Sequence, residues 1–244
     1  MISKNTDSSW KPYADLMAAL MIIFMFIAIS YILEIQKEKE DIKMVVEEYQ
    51  NTKNELFNSL QEEFRSDFRK WEVELGDDLS IKFTNPNILF ARGESKLTPK
   101  FKQILSDFLP RYFDIILSER YKENILEVRI EGHTDKVPAT QYDPDPYIGN
   151  VILSQLRSTN VLKHLKKSDY YKSKSNEVKK YLRFVLTANG LSYGRMLDSN
   201  KNLASKTDMQ PVPDISRRVE FKILTKTERA VENVINKLKE QRND

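Results

Sequence analysis

The chain has 244 residues, 40% hydrophobic and 31% charged, enough for one ordinary domain plus further segments. Its 39 basic and 36 acidic residues nearly balance at +3, which removes the electrostatic ground for nucleic-acid binding. With no cysteine and only His133 and His164, the sequence excludes disulfides and thiolate catalysis and argues against a multi-histidine metal centre.

A short tail of residues 1–12 leads into an apolar run, YADLMAALMIIFMFIAISYIL, from Tyr13 to Leu33. As a helix rising about 1.5 Å per residue, this run matches the hydrocarbon thickness of a bilayer. Pro12 suits the opening of a helix, and Trp10, Tyr13 and Tyr31 stand where interfacial aromatics belong. The run is too long for a cleavable signal and no small-x-small site follows it, so residues 13–33 read as a retained transmembrane helix. Lys4 and Lys11 precede it and mixed charges follow it, so lysine and arginine bias does not orient it.

Asp15 is the sole ionisable residue inside the span. An acid at that depth either reaches water at the membrane edge or faces a partner or pathway. Ala14 and Ala18, one helical turn apart, allow a second helix to approach closely. The segment WKPYADLMAALMIIFMFI resembles the single span of the MotB, TolR and ExbD class. In detail, DLMAALMIIFMF is similar to the B subunits of the Zorya anti-phage defence system. The resemblance implies that Asp15 is the ion-translocating residue and that a MotA-like multi-span membrane subunit (ZorA type) surrounds the span. It implies no cofactor beyond the transported ion, H⁺ or Na⁺. It also places the N-terminus in the cytoplasm and the C-terminal domain in the periplasm, anchored to the inner membrane.

From Glu34 to about Leu75 the chain is charged and free of Gly and Pro until Gly76. Val46, Tyr49, Leu56, Leu60, Phe64, Phe68, Trp71 and Leu75 recur mostly at spacings of three, four or seven, predicting a helical stem over residues 34–76. One reading buries this stripe against an identical copy as a parallel homodimer. The other packs its end, around Phe68 and Trp71, onto the following domain. Gly76, Asp77 and Asp78 are expected to stop the helix.

Beyond the stem the pattern predicts a strand over residues 79–83, then a turn and short extended stretch over 86–90. A helix is expected over 98–117, with Thr98 as its cap and Pro99 at its first position. A strand follows at ILEVRIEG, residues 125–132, where Ile125, Glu127, Arg129 and Glu131 alternate with Leu126, Val128 and Ile130. A Pro- and Asp-rich loop covers 136–149, a helix runs from about Asn150 to Lys166, and another from Asn176 leads into FVLTANG. The strand RRVEFKIL at 217–224 and a final helix at 225–244 close the chain. The fold class is therefore α/β (α+β): an N-terminal transmembrane helix, a helical stem and an α/β sandwich.

Four motifs stand in order within this domain: Phe90, Gly93, Ser95 and Leu97; Glu131-Gly132-His133-Thr134-Asp135; Asn150, Leu153, Ser154 and Arg157; and Ser216-Arg217-Arg218-Val219-Glu220. Together, across residues 79–224, they resemble the OmpA-like peptidoglycan-binding domain. The family's ligand is a zwitterionic diaminopimelate, and the resemblance assigns its ammonium to Asp135 and a carboxylate to Arg157, whose planar guanidinium suits bidentate binding. Asn150 and the backbone at the start of its helix are expected to add donors. Thr134, Leu153, Arg217 and Arg218 are secondary candidates. His133 reads as a structural histidine, and Arg218 as a support for the fold through an acid such as Glu131. The loop between Asp135 and Asn150 is longer than is usual in the family, making Tyr142 and Tyr147 candidate contacts. Ser216 stands where the family pattern has Asn.

These readings imply a stator subunit that couples ion flow at Asp15 to a wall-anchored domain, in Zorya defence on the closer resemblance. A flagellar stator protein or a passive peptidoglycan tether are the alternatives. No activated nucleophile, metal set or phosphate loop accompanies Asp135 and His133, so no enzyme is expected.

Overall fold

The computed structural model describes residues 11–231. The expected tail through Trp10 and the final helix beyond residue 231 lie outside the described residues. Helix α1 (Lys11–Phe64) is the first described element, and the protein divides into two compact units between Glu48 and Tyr49 of that helix.

The first unit carries a helical stretch long and apolar enough to cross a membrane. Leu16, Met17, Met21, Phe24 and Phe26 are all exposed around it, a surface that water alone does not tolerate. Asp15 sits on the exposed surface of the same helix, one position from Ala14.

The second unit is a five-stranded sheet covered by helices. Its elements are α2 (Phe68–Trp71), β1 (Val73–Leu75), β2 (Ser80–Phe83), α3 (Pro86–Leu89), α4 (Pro99–Ile116), β3 (Ile125–Gly132), α5 (Pro146–Lys167), α6 (Asp169–Ser173), α7 (Asn176–Val185), β4 (Leu186–Gly190), α8 (Pro213–Ser216) and β5 (Val219–Thr225). The strand order is β1-β2-β5-β3-β4, antiparallel throughout except for the parallel pair β3 and β4. A helix begins again at residue 226 directly after β5.

The stem ends earlier than its apolar stripe suggests. Helix α1 stops at Phe64, α2 supplies one more turn, and Val73–Leu75 pairs with β2 as an edge strand. Glu72 between them adopts a left-handed backbone (φ 54°) that breaks the helix. Leu56, Leu60, Phe64 and Trp71 are buried in the core of the second unit, so that part of the stripe is covered within one chain. Arg111 of α4 fastens this junction. Its guanidinium meets Glu63 Oε1 at 2.6 Å and Asp67 Oδ2 at 2.8 Å, and donates to the Glu63 carbonyl at the end of α1. A cation there satisfies carbonyls that the helix leaves without partners. The same group lies 4.7 Å from the Phe64 ring.

Helix α4 forms as its sequence predicts, with Thr98 Oγ1 accepting from the Phe101 amide at 3.0 Å and Pro99 in the first turn. Its inner face carries Phe101, Phe108 and Tyr112 onto Phe83 and Phe221 of the sheet, with ring centroids 5.0 to 5.6 Å apart. Each such pair contributes about 0.5–1.5 kcal/mol beyond its area burial. The alternation expected along β3 holds from Glu127 onward. A bulge between Ile125 and Glu127 turns Ile125 into the core and leaves Leu126 half-buried. Residues 86–89, expected as a turn, close into the short helix α3, with the Asn85 side chain capping the Asn87 amide.

Candidate functional site

The site is built where α5 crosses the ends of β3 and β4. Gly132 and Gly190 are register partners on those strands. A Cβ at Gly132 would lie 2.2 Å from the Ser154 carbonyl oxygen, and one at Gly190 would lie 2.4 Å from the Gln155 amide. Only bare backbone lets the helix come this close. The approach sets Asp135, just after β3, beside Arg157 on α5.

A cavity of ≈ 280 Å³ is lined by Arg92, Thr134, Asp135, Asn150, Leu153, Arg157 and Arg217 together with Val137, Pro138, Ala139 and Gln141 of the long loop. A second, of ≈ 360 Å³, shares Arg92, Arg157 and Arg217 and is closed by Phe90 and Asp214. Asp135 and Arg157 are both buried. Asp135 Oδ1 accepts from the Val137 amide at 3.0 Å, and Oδ2 accepts from Arg217 at 2.6 Å. The other arm of Arg217 meets Asp214 at 2.5 Å.

Arg157 donates through Nε to the Glu94 carbonyl at 3.0 Å, and its guanidinium lies 4.8 Å from the Phe90 ring. Its terminal nitrogens make no hydrogen bond among the described residues. Burial first, and then the field of Arg217, pull its pKa down to about 10, which leaves it a cation at neutral pH. The segment that receives it is shaped by Gly93, whose φ of 73° favours glycine. The Gly93, Glu94 and Ser95 carbonyls accept in turn from Gln141, Arg157 and Asn160.

Among the described residues, two buried polar atoms of cavity-lining residues make no hydrogen bond: Thr134 Oγ1 and Asn150 Oδ1. Buried polar groups are normally satisfied, so both side chains keep spare hydrogen-bonding capacity at positions shielded from solvent. Asn150 differs from its expected role. Its amide donates to the Val137 and Pro146 carbonyls at 2.9 and 3.0 Å, so it holds the loop. Helix α5 begins at Pro146, four residues before Asn150, and Asp145 already caps the Tyr147 and Ile148 amides. That helix end therefore has no role as an anion site.

Tyr147 is half exposed and stacks edge-on against Tyr193 at 5.5 Å, outside the cavity lining. Tyr142 reaches the Gly93 carbonyl at 3.4 Å and shapes the loop. Arg218 is also absent from both cavities. It is buried against Glu220, and not Glu131, and donates to the Arg195 carbonyl at 3.0 Å. Ser216, where the family pattern has Asn, receives the Leu197 amide at 3.0 Å and donates to the Val212 carbonyl at 2.6 Å, holding the corner together.

Behind the site lies a buried cluster. His133 Nε2 is 3.5 Å from Glu131 and 3.8 Å from Glu220, and these groups have the spacing of metal ligands. Arg218 and Arg195 already face the two carboxylates, and that positive charge opposes a divalent cation. The cluster is a charge-balanced support for the strand ends that carry Asp135 and Arg217.

No family model matches the chain. It is 37% identical over 236 residues to Zorya protein ZorB of Escherichia coli, covering 95% of this chain and 94% of that protein. The chain belongs to the ZorB family. Among solved structures, the periplasmic domain of Helicobacter pylori MotB (residues 78–256) aligns with 70% of this ZorB-family chain and 92% of its own, at 16% identity and a TM-score of 0.44. A MotB periplasmic domain spanning residues 64–256 aligns with 68% of this chain and 74% of its own, at 14% identity and a TM-score of 0.41. Arg92 is the site residue of this ZorB-family chain that sequence reading passed over. It lies inside the Phe90–Leu97 motif, one residue before the glycine, and only the folding back of that loop brings it to Arg157.

Proposed function

We propose that this chain is a MotB-like stator subunit of an ion-driven inner-membrane motor that grips peptidoglycan and acts in Zorya anti-phage defence. The observation that carries the reading is a buried carboxylate and a buried guanidinium, Asp135 and Arg157, facing one cavity. A zwitterionic stem-peptide residue matches this pair, its ammonium toward Asp135 and its carboxylate toward the free arms of Arg157. Leu153 supplies an apolar floor, and Thr134 and Asn150 complete the wall.

At the other end, Asp15 carries H⁺ or Na⁺ between this helix and those of a MotA-like multi-span partner of the ZorA type. The apolar surface around Asp15 supports a membrane setting and a packed neighbour. The N-terminus is cytoplasmic, the domain is periplasmic, and two copies pair along the exposed part of α1. No cofactor is required. Fixing the domain to the wall converts conformational work at the membrane into force against a stationary frame.

Sacculus pull-down of the full chain tests the wall reading: Arg157→Ala and Asp135→Asn are expected to lose retention. Retention equal to that of the unaltered protein would refute the site. Asp15→Asn tests the motor: phage protection should vanish while the complex with the multi-span partner still assembles. Protection that survives this change would leave a passive tether.

A further inference from the structure

A further pocket, rimmed by lysines, lies on the far side of the Phe90–Leu97 loop. Lys96 from that loop, Lys102 from α4, and Lys163 and Lys167 from α5 converge with Leu97, Asn160 and His164 around an open cavity of ≈ 360 Å³. No acidic residue lines it, and among the described residues none of these lysines has an ion-pair partner. In a chain balanced at 39 basic to 36 acidic residues, this is a local excess. Lysines in the last turn of a helix commonly complement its dipole, which accounts for Lys167. That explanation does not reach Lys96 or Lys102, which arrive from two other elements. His164, hydrogen-bonded to Ser106 Oγ at 3.2 Å, has its pKa lowered by burial and by Lys102, a sign of the same positive field.

The pocket shares one face of α5 with the first site. Asn150, Leu153, Arg157, Asn160, His164 and Lys167 follow one another at spacings of three and four along a single face of α5. Arg157 and Asn160, adjacent on that face, hold the Glu94 and Ser95 carbonyls, so the loop lies across the stripe. The Asp135 cavity opens on one side and the lysine pocket on the other. From Arg157 to Lys163 the helix rises about 9 Å. A polymer with repeated anionic groups spans that interval with neighbouring substituents.

We infer that Lys96, Lys102, Lys163 and Lys167 form a second anion subsite, which takes a carboxylate of the same wall polymer whose stem peptide is read at Asp135 and Arg157. This rests on the peptidoglycan reading. Lysine suits the task because its ammonium on a flexible stem follows a mobile, multiply charged polymer without demanding one geometry. The contribution is electrostatic and is therefore screened by salt.

The test uses the full chain in detergent micelles and the variant K96Q/K163Q/K167Q, whose changed residues are all exposed. Three probes are compared: purified sacculi, a soluble single stem-peptide fragment containing diaminopimelate, and phosphatidylglycerol vesicles. The variant is expected to bind sacculi about tenfold more weakly and to lose most of the salt dependence, with fragment binding unchanged. Replacing the same lysines by arginine should restore sacculus binding. Equal sacculus affinity and salt dependence in the glutamine variant would overturn the inference. So would intact sacculus binding with lost vesicle binding, which would put a lipid phosphate in the pocket. If the unaltered protein ignores the fragment yet binds sacculi through these lysines, the subsite is upheld and the stem-peptide reading at Asp135 fails.

Discussion

Arg217 bridges two carboxylates, holding the buried Asp135 at 2.6 Å and the exposed Asp214 at 2.5 Å. The anion assigned to a ligand's ammonium is thus oriented before the ligand arrives. A carboxylate offers about four lone-pair positions, so an ammonium joins this arrangement without displacing Arg217. Arg217→Ala should leave Asp135 with a single amide donor and lower stability by about 1–3 kcal/mol. Urea unfolding of the full chain, followed by tryptophan fluorescence, measures the loss.

Gly132→Ala is expected to cost a comparable amount and to displace the site as well. The added methyl would meet the Ser154 carbonyl at 2.2 Å, and backbone cannot swing aside as a flexible side chain can. Overpacking costs about 1–3 kcal/mol, and α5 must retreat from β3 to relieve it. Sacculus retention should fall with stability, because Arg157 retreats with the helix. Retention unchanged at full stability would show that the crossing tolerates the shift.

The two ends of the apolar stripe on α1 should respond differently. Leu60→Ala opens a cavity in the core and should cost about 2–5 kcal/mol in unfolding of the domain. Val46 lies in the other unit and is partly exposed, so Val46→Ala should leave that unfolding unchanged. Crosslinking between copies is the readout in which Val46 should matter.

His133 gives a pH dependence with a definite sign. Burial first, and then Arg218, push its pKa down to about 3 from the ordinary 6.5, against the pull of Glu220. The unfolded chain takes up a proton near 6.5 and the folded chain does not. Stability is therefore fully present above pH 6.5 and falls as the pH drops toward 3, by at most about 1.4 kcal/mol per pH unit. His133→Gln should flatten this limb when unfolding midpoints are compared across that window.

Features written in neighbouring residues were legible from the sequence. Thr98 and Pro99 announce the start of α4, and the apolar alternation announces β3 from Glu127 onward. The Val73–Leu75 strand was not legible, because Trp71 and Leu75 continue the helical spacing and only pairing with β2 makes the segment extended. The start of α5 was missed for a different reason. Asp145-Pro146 is a cap followed by a first-turn proline, but it sits inside a run of prolines and aspartates that reads as loop. Among candidate site residues, Asp135, Arg157, Thr134, Asn150, Leu153 and Arg217 converge on one cavity, whereas Tyr147 and Arg218 do not. Local sequence places a residue on an element and leaves its direction to the packing of distant strands.

Strand β5 lies between β2 and β3, pairing with both, yet it is the last strand among the described residues. Until residues 219–225 have left the ribosome, β2 and β3 have no common neighbour and each exposes an open edge. The sheet therefore assembles after synthesis of the domain is essentially finished, by contacts between residues as far apart as Ile81 and Phe221. A chain truncated before Val219 would lose Phe221 and Ile223 from the middle of the core and both hydrogen-bond ladders of β5 at once. For a nascent chain, the closing strand acts as a check on completeness: a stalled product cannot reach the folded form and stays open to proteolysis.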